Sequence, residues 1–430
     1  MKLSNLGLKT KKNIGNEDCY INELLEQSGQ LKKFSVGCFG YGTMLLKIKR
    51  NIEDVIRRNL DEIGCAEVQY SILQAKSYWQ ASGRWDKYVE TGTMFTTKGR
   101  NGEYAICATA EEFSLAMVKD HIKSYRDLGF IHYQIGTKFR DEIRCQGGII
   151  KSKEFNMMDA YSFDESKEKM IENYNKMKEA YYKIFKELGL DNVRAIVSVN
   201  DMGGKIASEF MWFDEEYGQD TIFCNDEFGL YVNEEVFDLE NKELKAIVLG
   251  KYVNIEKDKF VKRKATEVGH IFQNEQVYSK MMNGTFINKE GKQDYFYNGC
   301  YGIGVSRLIS IIAVDSLRKY GKLIWNDNIS AFDINIICKF DEKCLNKGME
   351  IYEMLKNKGI KVCMDDRDYS IGEKLKDNEL FGIRKTIIVG NDFLNNNLFD
   401  FEDRQNSTKE KIDFEKILIF WDNLDIIKIS

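Results

Sequence analysis

The 430-residue sequence predicts an α+β body followed by a small α/β module, and three observations point to this division. Two long segments, 44–63 and 165–188, repeat apolar residues at helical spacing. Between them, two mixed polar and apolar runs flank a glycine pair, which predicts an antiparallel hairpin. From about residue 332, short strands and helices alternate over roughly 100 residues, the pattern of a small α/β layer.

The first helix carries Leu45, Ile48, Ile52, Val55, Ile56 and Leu60 on one face and stops at Gly64. Ala66 to Leu73 then suits a strand. The hairpin runs from Tyr133–Ile143 to Lys153–Tyr161 around Gly147-Gly148. The second helix carries Met170, Tyr174, Met177, Tyr181, Ile184 and Leu188 and ends at Gly189. Residues 225–262 have weak periodicity and many charges, and read as a connector or a small lobe. In the module, Phe332–Lys339, Ile360–Met364 and Thr386–Val389 read as strands, and Leu345–Asn357, Glu373–Leu380 and Phe414–Trp421 as helices.

Composition narrows the function. Apolar residues make up 43% and charged residues 30%, as in soluble proteins, and the apolar run Ile303–Val314 is too short to span a bilayer. The lysine-bearing N-terminus lacks the apolar run of a secretory signal. The ten cysteines include no C-x-x-C pair and read as reduced thiols of a cytoplasmic protein. Three histidines, His121, His132 and His270, argue against a multi-histidine metal site. A net charge of −5 argues against a basic nucleic-acid binder and against DNA as a partner, although the lysines of 245–264 form either a phosphate-facing patch or a solvated surface. Proline is absent, where about 20 residues are expected at the usual 5%. Chance absence is on the order of one in a billion at that base rate, so proline has been excluded.

Three short segments suggest chemistry. Phe139-Arg140-Asp141-Glu142 and Lys153-Glu154-Phe155 place an arginine and a glutamate opposite an aromatic ring. Such a hairpin can hold a nucleotide through phosphate pairing, acceptance from the adenine amino group and stacking, or be a surface hairpin with an ordinary ion pair. Gly299-Cys300-Tyr301-Gly302-Ile303-Gly304 leads into an apolar helix with Arg307 in its first turn; the glycines allow close approach of a ligand or tight helix–sheet packing. Thr109 and Glu111, two apart on a strand, project to one face and could grip an ammonium group.

Together these segments resemble class II aminoacyl-tRNA synthetases, specifically the bacterial-type prolyl-tRNA synthetase family. The resemblance covers nearly the whole chain and rests on GCAEV (64–68), WQASGRWDKY (79–88), YQIGTKFRDEIR (133–144), KEFNMMDAYSF (153–163), EVGHIFQ (267–273), GCYGIGVSR (299–307) and DDR with DNELFGI (365–367, 377–383). It implies a catalytic domain over 1–330, an antiparallel sheet flanked by helices, and an anticodon-binding domain over 331–430 that includes Asp365, Asp366 and Arg367. It implies a homodimer acting on ATP with Mg²⁺, proline and tRNA(Pro). Arg140 would grip the α-phosphate and the substrate carboxylate, Glu142 the adenine, Phe155 would stack on the base, and Arg307 would take the γ-phosphate. Gln273 would also contact ATP. Thr109 and Glu111 would hold the imino nitrogen, with Ser208, Phe210 and Cys300 lining the amino-acid pocket.

The chain departs from the family at defined places. Ser71, Ala75, Ala108, Gly129, Cys145, Asn326, Ala331, Ile371 and Arg384 stand where the resemblance implies proline. Ala110 and, after Gly203-Gly204, Ser208 stand at histidine positions, which bears on amino-acid selectivity; Gln146 and Ser370 stand at arginine positions. Residues 225–262 are too few for the family's large editing insertion. Two other readings are compatible with the motifs, a non-charging regulatory or sensing paralogue and a synthetase for another small amino acid or proline analogue. A proline-free chain also fits production when prolyl-tRNA is scarce.

Overall fold

In the computed structural model the described residues are 1–11, 19–198, 206–234, 237, 243–248 and 251–417. They pack as two compact units. One is the larger body, Val36–Cys38 with Glu53–Leu308; the other gathers the C-terminal module with Met1–Ser35, Phe39–Ile52 and Ile309–Ser430.

The first predicted helix is α1, Thr43–Glu62. Ile52, Val55, Ile56 and Leu60 are all fully buried, so the 3.6-residue repeat marks its packed face. The body is built on a nine-stranded sheet. Its strands are β1 (Ala66–Glu67), β2 (Phe130–Phe139), β3 (Glu154–Asp164), β4 (Val193–Ser198), β5 (Ile206–Phe213), β6 (Asp220–Asn225), β7 (Leu230–Asn233), β8 (Val261–Glu275) and β9 (Tyr297–Ile303), in the order β5-β4-β7-β6-β8-β9-β3-β2-β1. Most neighbours are antiparallel; β1 joins β2 in parallel, and a single parallel pair links Val232 of β7 to Val197 of β4. Strand β5 also pairs with β8, so β4 to β8 close on themselves.

Helix α3, Lys167–Glu187, lies on one face of this sheet, capped at its start by the Ser166 hydroxyl. Met170, Tyr174, Met177, Tyr181, Ile184 and Phe185 form its buried stripe. The hairpin of β2 and β3 keeps an unbroken register from Phe130–Phe163 to Phe139–Glu154.

One sequence expectation needs correction here. Residues 66–73 are not one strand: only Ala66 and Glu67 pair with β2, and Leu73–Ala75 joins a separate three-stranded sheet. The intervening chain is bent because the Tyr70 amide donates to the Gln134 side chain and the Ser71 hydroxyl to Leu73 O. The stretch 225–262, read as a connector or a small lobe, carries strands of its own. It supplies β7 to the main sheet and a hairpin, Glu243–Val248 with Lys251–Glu256.

The C-terminal module holds β10 (Ile334–Cys338), β11 (Val362–Asp365), β12 (Lys385–Val389), β13 (Phe399–Asp403) and β14 (Thr408–Ile412), in the order β11-β10-β12-β13-β14. The first three are parallel and the last two antiparallel additions. Helix α5, Glu342–Asn357, covers β10 with Cys344, Ile351 and Leu355, and a β-carbon at Gly348 would collide with the Cys338 sulfur. Helix α6, Ile371–Phe381, starts in a capping box of Ser370 and Glu373. Residues 414–417 are helical, and 418–421 of the last expected helix lie outside the described residues.

Candidate active site

A cleft opens on the face of the sheet opposite α3, lined by Arg140, Glu142, Phe155, Glu267, His270 and Arg307. Arg140 follows directly from β2; its amide extends the ladder to Lys153 O, and its Nε donates to Ala108 O at 3.2 Å. Its guanidinium carbon stands 5.5 Å from the centre of the Phe155 ring on β3, in cation–π range. Glu142 faces Lys151 across the turn at 3.6 Å. Arg307 lies in the first turn of α4, Val305–Tyr320. Its Nε donates to Ile150 O at 2.8 Å, another of its nitrogens donates to Glu267 O, and the Glu267 carboxylate is 3.6 Å away. The hairpin and the glycine-rich segment, distant in sequence, thus share one cleft.

The cleft floor is acidic. Burial raises the Glu267 carboxyl, but the His270 hydrogen bond at 3.0 Å and the charges of His270, Arg307 and Arg140 outweigh it, holding Glu267 down at about 2. Glu209 sits opposite His270 on β5; burial and the Glu267 charge push it up to about 7, against a 2.6 Å bond from the Ser198 hydroxyl. Gly302 gives His270 room, since a β-carbon there would stand 2.6 Å from the imidazole. Of the other histidines, His132 packs between Phe130 and Phe163, and His121 is exposed in a turn.

Beside the cleft lies a buried ion cluster. Thr109 and Glu111 do not share a strand: Glu111 opens helix α2, Glu111–Val118, after Ala110. The chain turns there because the Ala110 amide donates to the Tyr161 hydroxyl, and Tyr161 donates in turn to Asp159. The turn still brings the pair together, with the Thr109 hydroxyl 2.6 Å from Glu111 Oε2. Arg84 then bridges Glu111 and Glu112 at 3.0 Å each and lies against the rings of Trp79, Tyr88 and Tyr278. Burial raises the Glu111 carboxyl, but Arg84 and Thr109 overcome it and keep Glu111 ionised. In Glu112 burial prevails, helped by the Glu111 charge, and its pKa rises. One arginine between two buried carboxyls therefore leaves one charged and favours a proton on the other.

Cys300 on β9 is buried with Ala110, Tyr161 and Tyr278, and burial followed by the nearby Glu111 charge pushes its thiol well up. Three other expected site residues point elsewhere. Ser208 pairs with Ile271, Phe210 with Gly269 and Ile206 with Gln273, so these residues share a sheet face. It is the α3 face: the Tyr174 hydroxyl donates to Ser208 at 2.8 Å, and Phe210 packs on Tyr181, Tyr182 and Phe185. Gln273 is buried on that face and is absent from the described residues lining the cleft. Sequence reading overlooked Arg84, Glu209 and Glu267; Arg84 was signalled only by its setting among the aromatics of WQASGRWDKY.

In the module, Asp365 and Arg367 face inward. Arg367 binds Asp365 through two nitrogens, at 2.9 and 2.6 Å, and reaches Asp377 at 2.9 Å. Buried Lys374 donates to Cys338 O and Asp365 O. Asp366 is half-buried and accepts from the Ser4 amide and hydroxyl. Among the described residues no group of three or more His, Cys, Asp or Glu side chains is arranged to hold a metal, and no helix is long and apolar enough to cross a membrane.

Residues 95–315 match the tRNA synthetase class II core domain (G, H, P, S and T), and 331–420 match an anticodon binding domain. The chain is 33% identical to the proline–tRNA ligase of Rickettsia bellii, covering 92% of each chain. It is 30% identical to that of a Sulfurihydrogenibium species, covering 92% of this chain and 94% of the relative. That alignment runs over 535 residues, more than this chain contains, so the relative carries segments missing here. Two solved structures of prolyl-tRNA synthetase from Cryptosporidium parvum share the fold at 16% identity. The complex with halofuginone and AMPPNP superposes with a TM-score of 0.71 over 95% of this chain and 77% of its own, and the complex with L-proline and AMP with 0.70 over 98% and 79%.

Proposed function

Because the chain belongs to the prolyl-tRNA synthetase (proline–tRNA ligase) family of class II enzymes, we propose that its cleft and ion cluster together activate proline with ATP and pass it to tRNA(Pro). The observation that carries this reading is the position of Arg140, 5.5 Å from the centre of the Phe155 ring in the cleft and hydrogen-bonded to Ala108, one residue before Thr109. A guanidinium there reaches both the α-phosphate of a nucleotide on Phe155 and a carboxylate placed beside Thr109.

In the first step a proline carboxylate oxygen attacks the α-phosphorus, and the bond to the bridging oxygen breaks with its electron pair leaving on pyrophosphate. The nucleophile is already an anion, so no general base is needed; the protein's task is alignment and charge stabilisation. Phe155 stacks on adenine, Glu142 accepts from its amino group, and Arg307 exchanges its backbone carbonyls for the γ-phosphate. Glu111, kept ionised by Arg84, and the Thr109 hydroxyl receive the N–H groups of proline, while Cys300 and Tyr278 border the ring. In the second step a terminal tRNA hydroxyl attacks the adenylate carbonyl and releases AMP. Mg²⁺ would enter with the triphosphate and supply charge neutralisation, with the ionised Glu267 as its candidate protein ligand.

We place the reaction in the cytoplasm and in a homodimer, with the C-terminal module holding the tRNA. The test is ATP–pyrophosphate exchange across the twenty amino acids and several proline analogues, followed by tRNA charging. Proline-dependent exchange with charging of tRNA(Pro) is expected. Exchange with no amino acid would mark a non-charging paralogue, and exchange favouring another substrate would reassign the pocket.

A further inference from the structure

The missing proline is not imposed by this fold. Helices α3, α5 and α6 begin at Lys167, Glu342 and Ile371. The first residue of a helix accepts proline readily, because its N–H has no intrahelical partner and its φ already suits the ring. Proline also requires the preceding residue to be extended. Ser166, Asp341 and Ser370 all are, with ψ of 164°, 139° and 152°. Three vacant slots of the best kind are filled by lysine, glutamate and isoleucine.

Elsewhere, turns are closed by side chains. Asn326 Oδ1 accepts from the amides of Asn328 and Ile329, Asn288 Oδ1 from Glu290 and Lys292, and Asp214 Oδ1 from Glu216 and Tyr217. The backbone thus has places for proline, and local hydrogen bonds stand in where its rigidity is commonly used. A constraint that spares the fold and empties all 430 positions acts on synthesis of the chain.

We infer that this enzyme is a restart synthetase: its own translation consumes none of the prolyl-tRNA it makes, so it can be produced from zero prolyl-tRNA and refill the pool. The inference rests on the charging activity proposed above. An ordinary synthetase containing proline cannot be rebuilt once its product is exhausted, whereas this chain breaks that circular dependence.

The experiment uses cells whose resident prolyl-tRNA synthetase can be depleted, and compares this chain with Lys167→Pro/Glu342→Pro/Ile371→Pro, a variant first shown to match it in folding and exchange rate as purified protein. Each is induced either before or after depletion. Induced before, both are expected to sustain growth. Induced after, the proline-free chain is expected to restore growth and the triple variant to fall at least tenfold behind in protein made and in recovery. Equal recovery with late induction would overturn the inference. Failure of both with early induction would instead remove the charging activity beneath it, so the two failures are distinguishable.

Discussion

The cleft and the ion cluster beside it both hold arginines against carboxylates, yet they use them in opposite ways. In the cleft Arg307 rests on two backbone carbonyls and a partly exposed Glu267, partners that water can replace when the guanidinium moves to a phosphate. In the cluster Arg84 is walled by aromatic rings, and Glu112 beneath it is fully buried. The first arrangement is releasable and the second is fixed. The contrast teaches that an arginine serves as a movable ligand where solvent can take over its partners, and as a fixed support for a neighbouring carboxylate where it cannot.

Removing Arg84 is the strongest way to break this comparison. Arg84→Ala leaves two carboxyls buried without a cation and is expected to cost about 3–5 kcal/mol of stability. Urea unfolding would show it, and a loss below 1 kcal/mol would mean the cluster is not the fixed element described. Arg140→Ala and Arg307→Ala should instead spare the fold and slow proline-dependent exchange by about 10²–10³-fold, or about 3–4 kcal/mol in the transition state. Undiminished exchange in both would remove them from the reaction.

Glu209 sharpens the contrast through pH. Its folded pKa of about 7 lies above the usual carboxyl range, so burial disfavours its charged form. Its contribution is complete below about pH 4.5 and is lost as pH rises toward 7 and beyond. Between pH 5 and 8 the wild type should therefore lose stability relative to Glu209→Gln, by about 1–3 kcal/mol. Asp164, also raised to about 7 by burial, titrates in both proteins, so their difference isolates Glu209. A pH-independent gap in urea midpoints would contradict this. The smallest expected effect is that of Ser208→Ala, about 1 kcal/mol of stability from the lost Tyr174 bond and a KM for proline within twofold of wild type. A tenfold rise in KM would return Ser208 to the pocket.

Much of this was legible in the sequence because it is local. The hairpin could be read from its glycine turn and flanking runs, and the C-terminal module from its alternation. The resemblance then joined Arg140, Glu142, Phe155 and Arg307, which no spacing could connect across more than 150 residues. Ser208, Phe210 and Gln273 were misplaced for a physical reason. Alternation along a strand says which residues share a face, while the helix that later packs on the sheet decides which face is covered. Tyr174, Tyr181 and Phe185 of α3 make that decision. Arg84 escaped notice because a buried arginine is identified only by the carboxylates that fold onto it.

The Ala110 amide is held by the Tyr161 hydroxyl, and that bond governs its exchange with solvent. The loop that carries Thr109 is pinned at its end, where the helix begins, to the sheet through Tyr161 and Asp159, and Asp159 is itself held by Lys138 at 2.6 Å and Gln134 at 2.9 Å. Opening that amide requires breaking a chain of buried polar contacts rather than fraying a turn. Its deuterium uptake should therefore follow the slow kinetics of the central strands, and the substrate-facing loop should exchange as part of the sheet to which it is anchored.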